Sequence, residues 1–307
     1  MIYRNNMNNW VPTASVLPRN SFLHSSLVSR QCSLTPEKNF GKLPCQIPNS
    51  SSCFDIPLLH VQNLSISFSL FGKKISAVRN VSFSLNEGER VGIVGESGSG
   101  KSCTVQAIPR LLPQAEIQGT IDFEGKNLLQ LKEKELNKIR GKKIGISFQE
   151  MGASLNPTMT IGKQIEEALS THKFPKEKAL SLLELVEMPR PQAILKCYPH
   201  ELSGGMKQRV SLSLALACSP KLLIADEPTT ALDPKTKEQI LSLLKRKEIA
   251  SSLLLVSHDL HLVANICERI LIFYQGEMIE EGKTDEILKS PKHPYTQGLL
   301  SLMRKYD

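Results

Sequence analysis

Gly95-Glu-Ser-Gly-Ser-Gly-Lys-Ser102 is the stretch on which the reading of this chain turns. It follows a short apolar run, Arg90–Val94, that predicts a buried strand, and it precedes residues 102–112, which predict a helix ended by Pro109 and Pro113. A G-x-x-x-x-G-K-[ST] pattern between a strand and a helix carries a mechanism. Glycines at 95, 98 and 100 let the backbone curl, so that successive N–H groups converge on an anion, and the start of the helix adds partial positive charge. Gly95, Glu96, Ser97, Gly98, Ser99, Gly100, Lys101 and Ser102 are therefore candidate phosphate contacts. Lys101 reaches the β- and γ-phosphates of a nucleotide, and the Ser102 hydroxyl holds Mg²⁺.

A second piece lies downstream. Lys221-Leu-Leu-Ile-Ala-Asp-Glu-Pro places four apolar residues ahead of two carboxylates, a buried strand ending in charge. Buried charge is costly unless it is paired or binds metal. Asp226 at the strand tip is read as a carboxylate of the Mg²⁺ shell, and Glu227 as the group that orients or deprotonates a water beside the γ-phosphate. His258 follows another apolar strand, Leu253–Val256, and sits at the sheet edge where α/β proteins bind ligands; it is read as a γ-phosphate contact. Gln149, after Ile144–Phe148, is placed to touch both Mg²⁺ and the attacking water.

A third piece, Glu201-Leu-Ser-Gly-Gly-Met-Lys-Gln-Arg-Val, opens a helix with Ser203 as N-cap, and Gly204 and Gly205 leave first-turn N–H groups uncovered. This too is an anion site, but it has no lysine and no metal ligand. It makes sense as half of a site completed by another molecule's cradle.

Around these pieces the chain alternates. Leu59–Phe68 and Ala77–Leu85 read as antiparallel strands, residues 124–143 as a charged, exposed helix, and 156–201 as helical segments broken by Pro175, Pro189, Pro191 and Pro199. A helix near 203–218, a strand at 221–225, a helix near 234–248 and strands at 253–257 and 269–273 follow. Strands alternating with helices predict a parallel sheet with helices on its faces. Residues 1–57 differ: they hold six of the 18 prolines, many Ser and Asn, and no periodicity. They are expected to be disordered, and a translation start lying downstream is the alternative, with Met7 an internal candidate.

Composition narrows the class. Hydrophobic residues make up 40% of the 307, yet no run approaches the roughly 18 apolar residues that span a bilayer. The net charge of +8 is spread over a surface dense in both signs without arginine–aromatic interleaving, so no nucleic-acid partner is expected. Seven dispersed cysteines without a CxxC pair predict reduced thiols and a cytosolic setting.

With these motifs in this order the sequence resembles the ATP-binding subunits of ABC transporters from about Leu58 to the C-terminus. GESGSGKS matches Walker A, Gln149 the Q-loop, LSGGM the signature, LLIADE Walker B, Ala231-Leu232-Asp233 the D-loop and His258 the switch histidine. Phe68 falls where the family has an aromatic on adenine, and Cys103 stands for a Thr or Ser whose backbone N–H binds. Ser154-Leu-Asn-Pro, Tyr198-Pro-His-Glu, Asp226-Glu-Pro-Thr-Thr-Ala-Leu-Asp and His293-Pro-Tyr-Thr-Gln-Gly-Leu-Leu are similar to the dipeptide/oligopeptide importer branch, which also contains nickel importers. Phe148-Gln-Glu-Met departs from the branch's more usual Phe-Gln-Asp-Pro.

The resemblance implies an α/β P-loop nucleotide-binding domain over 58–307. This comprises a RecA-like core, an antiparallel β subdomain, a helical subdomain at about 150–205 and an importer-type extension at about 285–307. It implies ATP and Mg²⁺ as ligands, with Ser203, Gly204, Gly205 and Asp233 serving a partner's site in trans. It further implies a second, non-identical ATPase subunit, two transmembrane permease subunits and an extracytoplasmic solute-binding protein. The expected location is the cytoplasmic face of the inner or plasma membrane, held there peripherally. No cysteine follows Cys267, so the iron–sulfur cluster of some relatives is not expected. A soluble ABC ATPase acting on nucleic acid or ribosomes is the alternative.

Overall fold

The structure, a computed structural model, describes residues 56–70, 73–149, 154–230 and 232–303. The expectations for residues 1–55, for Glu150-Met151 after the glutamine and for Ala231 lie outside them.

Alternation of side chains explains the core. Strands β3 (Arg90–Gly95), β6 (Ile144–Ser147), β7 (Leu222–Asp226), β8 (Ser252–Ser257) and β9 (Arg269–Tyr274) pair in parallel in the order β9-β3-β8-β7-β6. β10 (Glu277–Lys283) adds an antiparallel edge beside β9. Successive residues point to opposite faces, and both faces are covered. Val91 and Ile93, Leu222 and Ile224, Leu254 and Val256, Leu271 and Phe273 enter one core. Val94, Leu223 and Ala225, Leu253 and Leu255, Ile270 and Ile272 enter the other. The runs are continuous in hydrophobicity for this reason: a strand buried on both sides has no polar face to alternate with.

The first core is closed by a second, antiparallel sheet, ordered β2-β1-β4-β5, from β1 (Leu59–Leu70), β2 (Lys73–Leu85), β4 (Ala115–Phe123) and β5 (Lys126–Asn127). Helix α1 (Lys101–Ala107) contributes Val105 and Ala107 to this core, so the helix that follows the glycine loop lies between the two sheets. The second core is closed by helices: α3 (Ile161–Thr171), α4 (Lys178–Leu185), α5 (Pro191–Ile194), α6 (Gly204–Leu216), α7 (Pro234–Lys245) and α8 (Leu260–Ala264). Two short helices, α9 (Thr284–Lys289) and α10 (Pro294–Met303), end the described chain.

Residues 124–143 are not the exposed helix that their charge pattern predicts. Only a single turn, α2 (Glu133–Leu136), is helical. Arg140 is buried, and it donates to the carbonyls of Pro109 at 2.7 Å and Arg110 at 3.0 Å, to Asn137 Oδ1 at 3.1 Å and to Glu133. The stretch serves as a clamp on the turn that ends the first helix, because a guanidinium has five donors with which to satisfy such carbonyls. β4 and β10, which the sequence reading leaves unassigned, complete the sheets, β4 between β1 and β5 and β10 at the edge beside β9.

Candidate functional site

Parallel strands deliver their C-terminal ends to one edge of the sheet, and the candidate residues gather there. A cavity of about 620 Å³ is lined by Gly95, Glu96, Ser97, Gly98, Gly100, Lys101, Ser102 and Cys103 from the loop and α1, and by Gln149, Glu227 and His258 from the ends of three strands. Ala77, Thr230 and Leu299 complete its wall. Its size falls in the range of small-molecule sites.

The loop owes its curl to two residues of left-handed backbone. Gly98 has φ 80° and Gly100 φ 95°. At Gly100 a Cβ would also stand 2.6 Å from the carbonyl oxygen of Ala77, so both conformation and space demand glycine. Gly95 has no positive φ; its constraint is the carbonyl oxygen of Phe273, 2.1 Å from where a Cβ would be. Lys101 is buried, and its Nζ donates to the carbonyls of Gly95 at 2.8 Å and Glu96 at 2.7 Å. Burial lowers its pKa, while Glu227, Asp226 and Glu96 act the other way.

Asp226, at the tip of β7, is fully buried. One carboxylate oxygen accepts from Ser102 Oγ at 3.0 Å and the other from Gln106 Nε2 at 3.5 Å. Burial pushes this carboxyl above the usual carboxylate range, against the effect of those hydrogen bonds. A buried, underbonded carboxylate touching the hydroxyl at the start of α1 fits a hard divalent cation, which takes oxygen ligands.

Glu227 stands in left-handed backbone, φ 49°, which is uncommon for a non-glycine residue and concentrates at functional sites. Its carboxylate is 7% exposed and is held on two sides: His258 Nδ1 lies 3.0 and 2.9 Å from its two oxygens, and Thr230 Oγ1 donates to Oε2 at 3.0 Å. Asp259, next to His258, accepts from Lys237 Nζ at 2.7 Å and caps α8 through Leu262 N–H at 3.1 Å. The histidine is thus carried on an anchored turn. Cys103 lines the cavity with its thiol pKa raised, chiefly by burial, so it presents an apolar group.

Other predicted residues lie elsewhere. Phe68 is half-buried and packs against the core between the sheets; it does not line the cavity, whose wall there is Ala77. Ser99 is buried under the loop. Ser203 and Gly204 are exposed, with Ser203 Oγ accepting from Met206 N–H at 3.4 Å, and none of Ser203, Gly204, Gly205 or Asp233 lines the cavity. Asp233 caps α7 by accepting from Thr236 N–H at 3.1 Å. The two segments pack together: a Cβ on Gly204 would be 3.9 Å from Leu232, and one on Gly205 would be 2.3 Å from Thr236.

Sequence reading missed Thr230, Tyr295 and Leu299. Thr230 had a signal, its place three residues after Glu227; the other two reach the loop from some 200 residues away.

A cavity floored by a glycine loop at the end of β3, with paired carboxylates at the tip of β7 beyond the intervening β8, defines a P-loop nucleotide-binding protein. Family comparison agrees. Residues 78–230 match the model described as ABC transporter, and residues 279–307 match that of the oligopeptide/dipeptide transporter C-terminal region. The oligopeptide transport ATP-binding protein OppD of Bacillus subtilis (strain 168) is 50% identical over 256 residues, 80% of this chain and 72% of that protein. The dipeptide transport ATP-binding protein DppD of the same organism is 46% identical over 260 residues, 81% and 78% of the two chains. A dimeric structure of MJ0796, a bacterial ABC transporter cassette, superposes with a TM-score of 0.67 at 33% identity, over 74% of this chain and 98% of that one. The chain belongs to the ABC transporter ATP-binding proteins, in their oligopeptide/dipeptide branch. It is an ABC ATPase, and among the described residues no helix is long and apolar enough to cross a membrane.

Proposed function

We propose that this chain hydrolyses ATP to drive an importer of dipeptides or oligopeptides, and that it does so as one half of a pair of ATPase subunits. The observation that carries the reading is the contrast between its two anion sites. The glycine loop opens onto a cavity with Asp226, Glu227, Gln149 and His258 around it, whereas the Ser203–Gly205 helix start faces solvent without any of these groups.

In this reading, backbone N–H groups from Ser97 to Cys103 and the Lys101 ammonium bind the phosphates, with Lys101 exchanging its carbonyl partners for phosphate oxygens. Phe68 is retained as the residue on the adenine side. Ser102, Asp226 and Gln149 would hold Mg²⁺, which would supply charge neutralisation to the phosphates. Glu227 takes the proton of the attacking water, and Thr230 and His258 fix the direction of its carboxylate. His258, on the turn anchored by Asp259, also faces the γ-phosphate. Ser203, Gly204, Gly205 and Asp233 serve the partner's site.

The partners in this reading are those that membership of the peptide-importer branch implies. A second, non-identical ATPase subunit completes the nucleotide site, and two permease subunits and an extracytoplasmic solute-binding protein carry and select the peptide. The helical segment at 150–205 passes the motion to the permeases at the cytoplasmic face of the membrane. The test is reconstitution of this chain with its co-purifying partners in vesicles. ATP-dependent uptake of di- or oligopeptides is expected. Uptake of nickel instead would reassign the solute, and co-purification with ribosomes or nucleic acid would overturn the importer reading.

A further inference from the structure

The segment His293-Pro-Tyr-Thr is built as a strut between the edge of the sheet and the phosphate loop. At its base, Glu280 on β10 accepts from the backbone N–H groups of Lys292 at 2.7 Å and His293 at 3.1 Å. His293 Nδ1 in turn accepts from Tyr295 N–H at 3.1 Å, which fixes the first turn of α10. The Tyr295 ring rests on Tyr274, with ring centroids 4.5 Å apart. At its tip, the Tyr295 hydroxyl accepts the backbone N–H of Glu96 at 3.2 Å. One helical turn on, Leu299 lines the cavity. The turn after Tyr274 holds the loop at a second point, because Gly276 N–H donates to the carbonyl of Ser99 at 3.1 Å.

The loop is therefore tied at Glu96 and Ser99 by groups that lie some 200 and 180 residues away in sequence. A phosphate cradle binds through amides that must already point inward, and a loop left free pays ordering entropy when the ligand arrives. We infer that Tyr295 is a positioning residue for ATP: its hydroxyl sets the first turn of the phosphate loop, and the C-terminal segment thereby tunes nucleotide affinity. The inference rests on reading Gly95–Ser102 as the phosphate site.

The test uses the full chain and Tyr295→Phe, which removes the hydroxyl and keeps the ring on Tyr274. The dissociation constant and KM for ATP are expected to rise about three- to tenfold, the worth of one neutral hydrogen bond, with a smaller loss in kcat. The ATP-induced rise in melting temperature is expected to shrink. A residue that merely supports the fold would lower melting with and without ATP alike and leave that rise unchanged, which would overturn the inference. Glu280→Gln, which loosens the base of the strut and leaves Tyr295 intact, should move KM the same way by less. Parent and variant binding ATP equally well would overturn the role of Tyr295 while leaving the phosphate site standing. A parent chain that binds no ATP would remove the phosphate site itself, and the inference with it.

Discussion

Two helix starts in this molecule expose backbone N–H groups to an anion, and they are furnished in opposite ways. The start of α1 is enclosed: Lys101 is buried against it, Asp226 is tied to Ser102, and Glu227 waits under His258 and Thr230. The start of α6 is bare, with Ser203 and Gly204 exposed and the nearest side chains, Leu232 and Thr236, providing packing only. The first has solved the cost of burying charge within its own fold. The second caps one N–H, that of Met206, with the neutral Ser203 hydroxyl and leaves Gly204 at the surface, an arrangement open to another molecule's phosphates.

The largest effect that would sharpen this contrast is expected at the enclosed site. Glu227→Gln keeps the shape and the hydrogen bond from Thr230 but removes the base. Turnover should fall about 10²- to 10⁴-fold, while ATP remains bound and holds the two subunits together. Steady-state hydrolysis and gel filtration with ATP check this, and undiminished hydrolysis would sink the assignment.

Gly204→Asp probes the bare site. A Cβ has room there, unlike at Gly205, and an acidic residue in a first helical turn favours the helix. The fold should therefore survive, and the isolated subunit should bind ATP with its parent affinity. In the assembled complex the new carboxylate opposes the partner's phosphates, and hydrolysis should drop by more than about tenfold, since like charges in close contact cost several kcal/mol. Weakened ATP binding by the isolated subunit would mean that the two sites are not separate.

How much of this contrast can be read from the chain depends on where each group's partners lie. The loop, the Walker-type strand and the signature are legible because their chemistry needs particular residues in consecutive order. The buried runs read correctly as strands because both faces of the sheet are covered. Residues 124–143 mislead because nothing local says that Arg140 meets the carbonyls of Pro109 and Arg110. Tyr295 is hidden for the same reason, its partner lying at Glu96. Thr230 is intermediate: it was in plain view beside Glu227, but a threonine after a strand acquires meaning only when the left-handed turn at Glu227 brings hydroxyl and carboxylate together.

That contact gives a smaller prediction. Thr230→Val removes the hydrogen bond at nearly constant volume, and kcat should fall about two- to tenfold, less than the loss of a whole hydrogen bond to a charged group because His258 still holds the carboxylate. KM for ATP should change little. Thr230→Ser, which keeps the hydroxyl, should recover most of the loss; a valine variant as active as the parent would show that the hydrogen bond does not matter.

The smallest effect concerns stability, and it has the opposite sign to the effect on activity. Asp226 is held above its ordinary range chiefly by burial, so its ionised form is less welcome in the fold than in the unfolded chain. The unfolded chain releases this proton near pH 4. Below that, Asp226 costs nothing. As pH rises toward the folded-state value the unfolded state gains more by ionising, and stability falls; above that value the cost is constant. In the nucleotide-free protein at neutral pH, Asp226→Asn should therefore raise the melting temperature by a few degrees, and the gain should vanish as the pH approaches 4. Addition of Mg²⁺ and ATP should reverse the order, because only the carboxylate gains a cation partner. An Asn variant that melts lower than the parent at pH 7 without ligand would mean that the bonds from Ser102 and Gln106 already outweigh the cost of burial. The enclosed site would then be a structural hydrogen-bond network, with no stored demand for a metal.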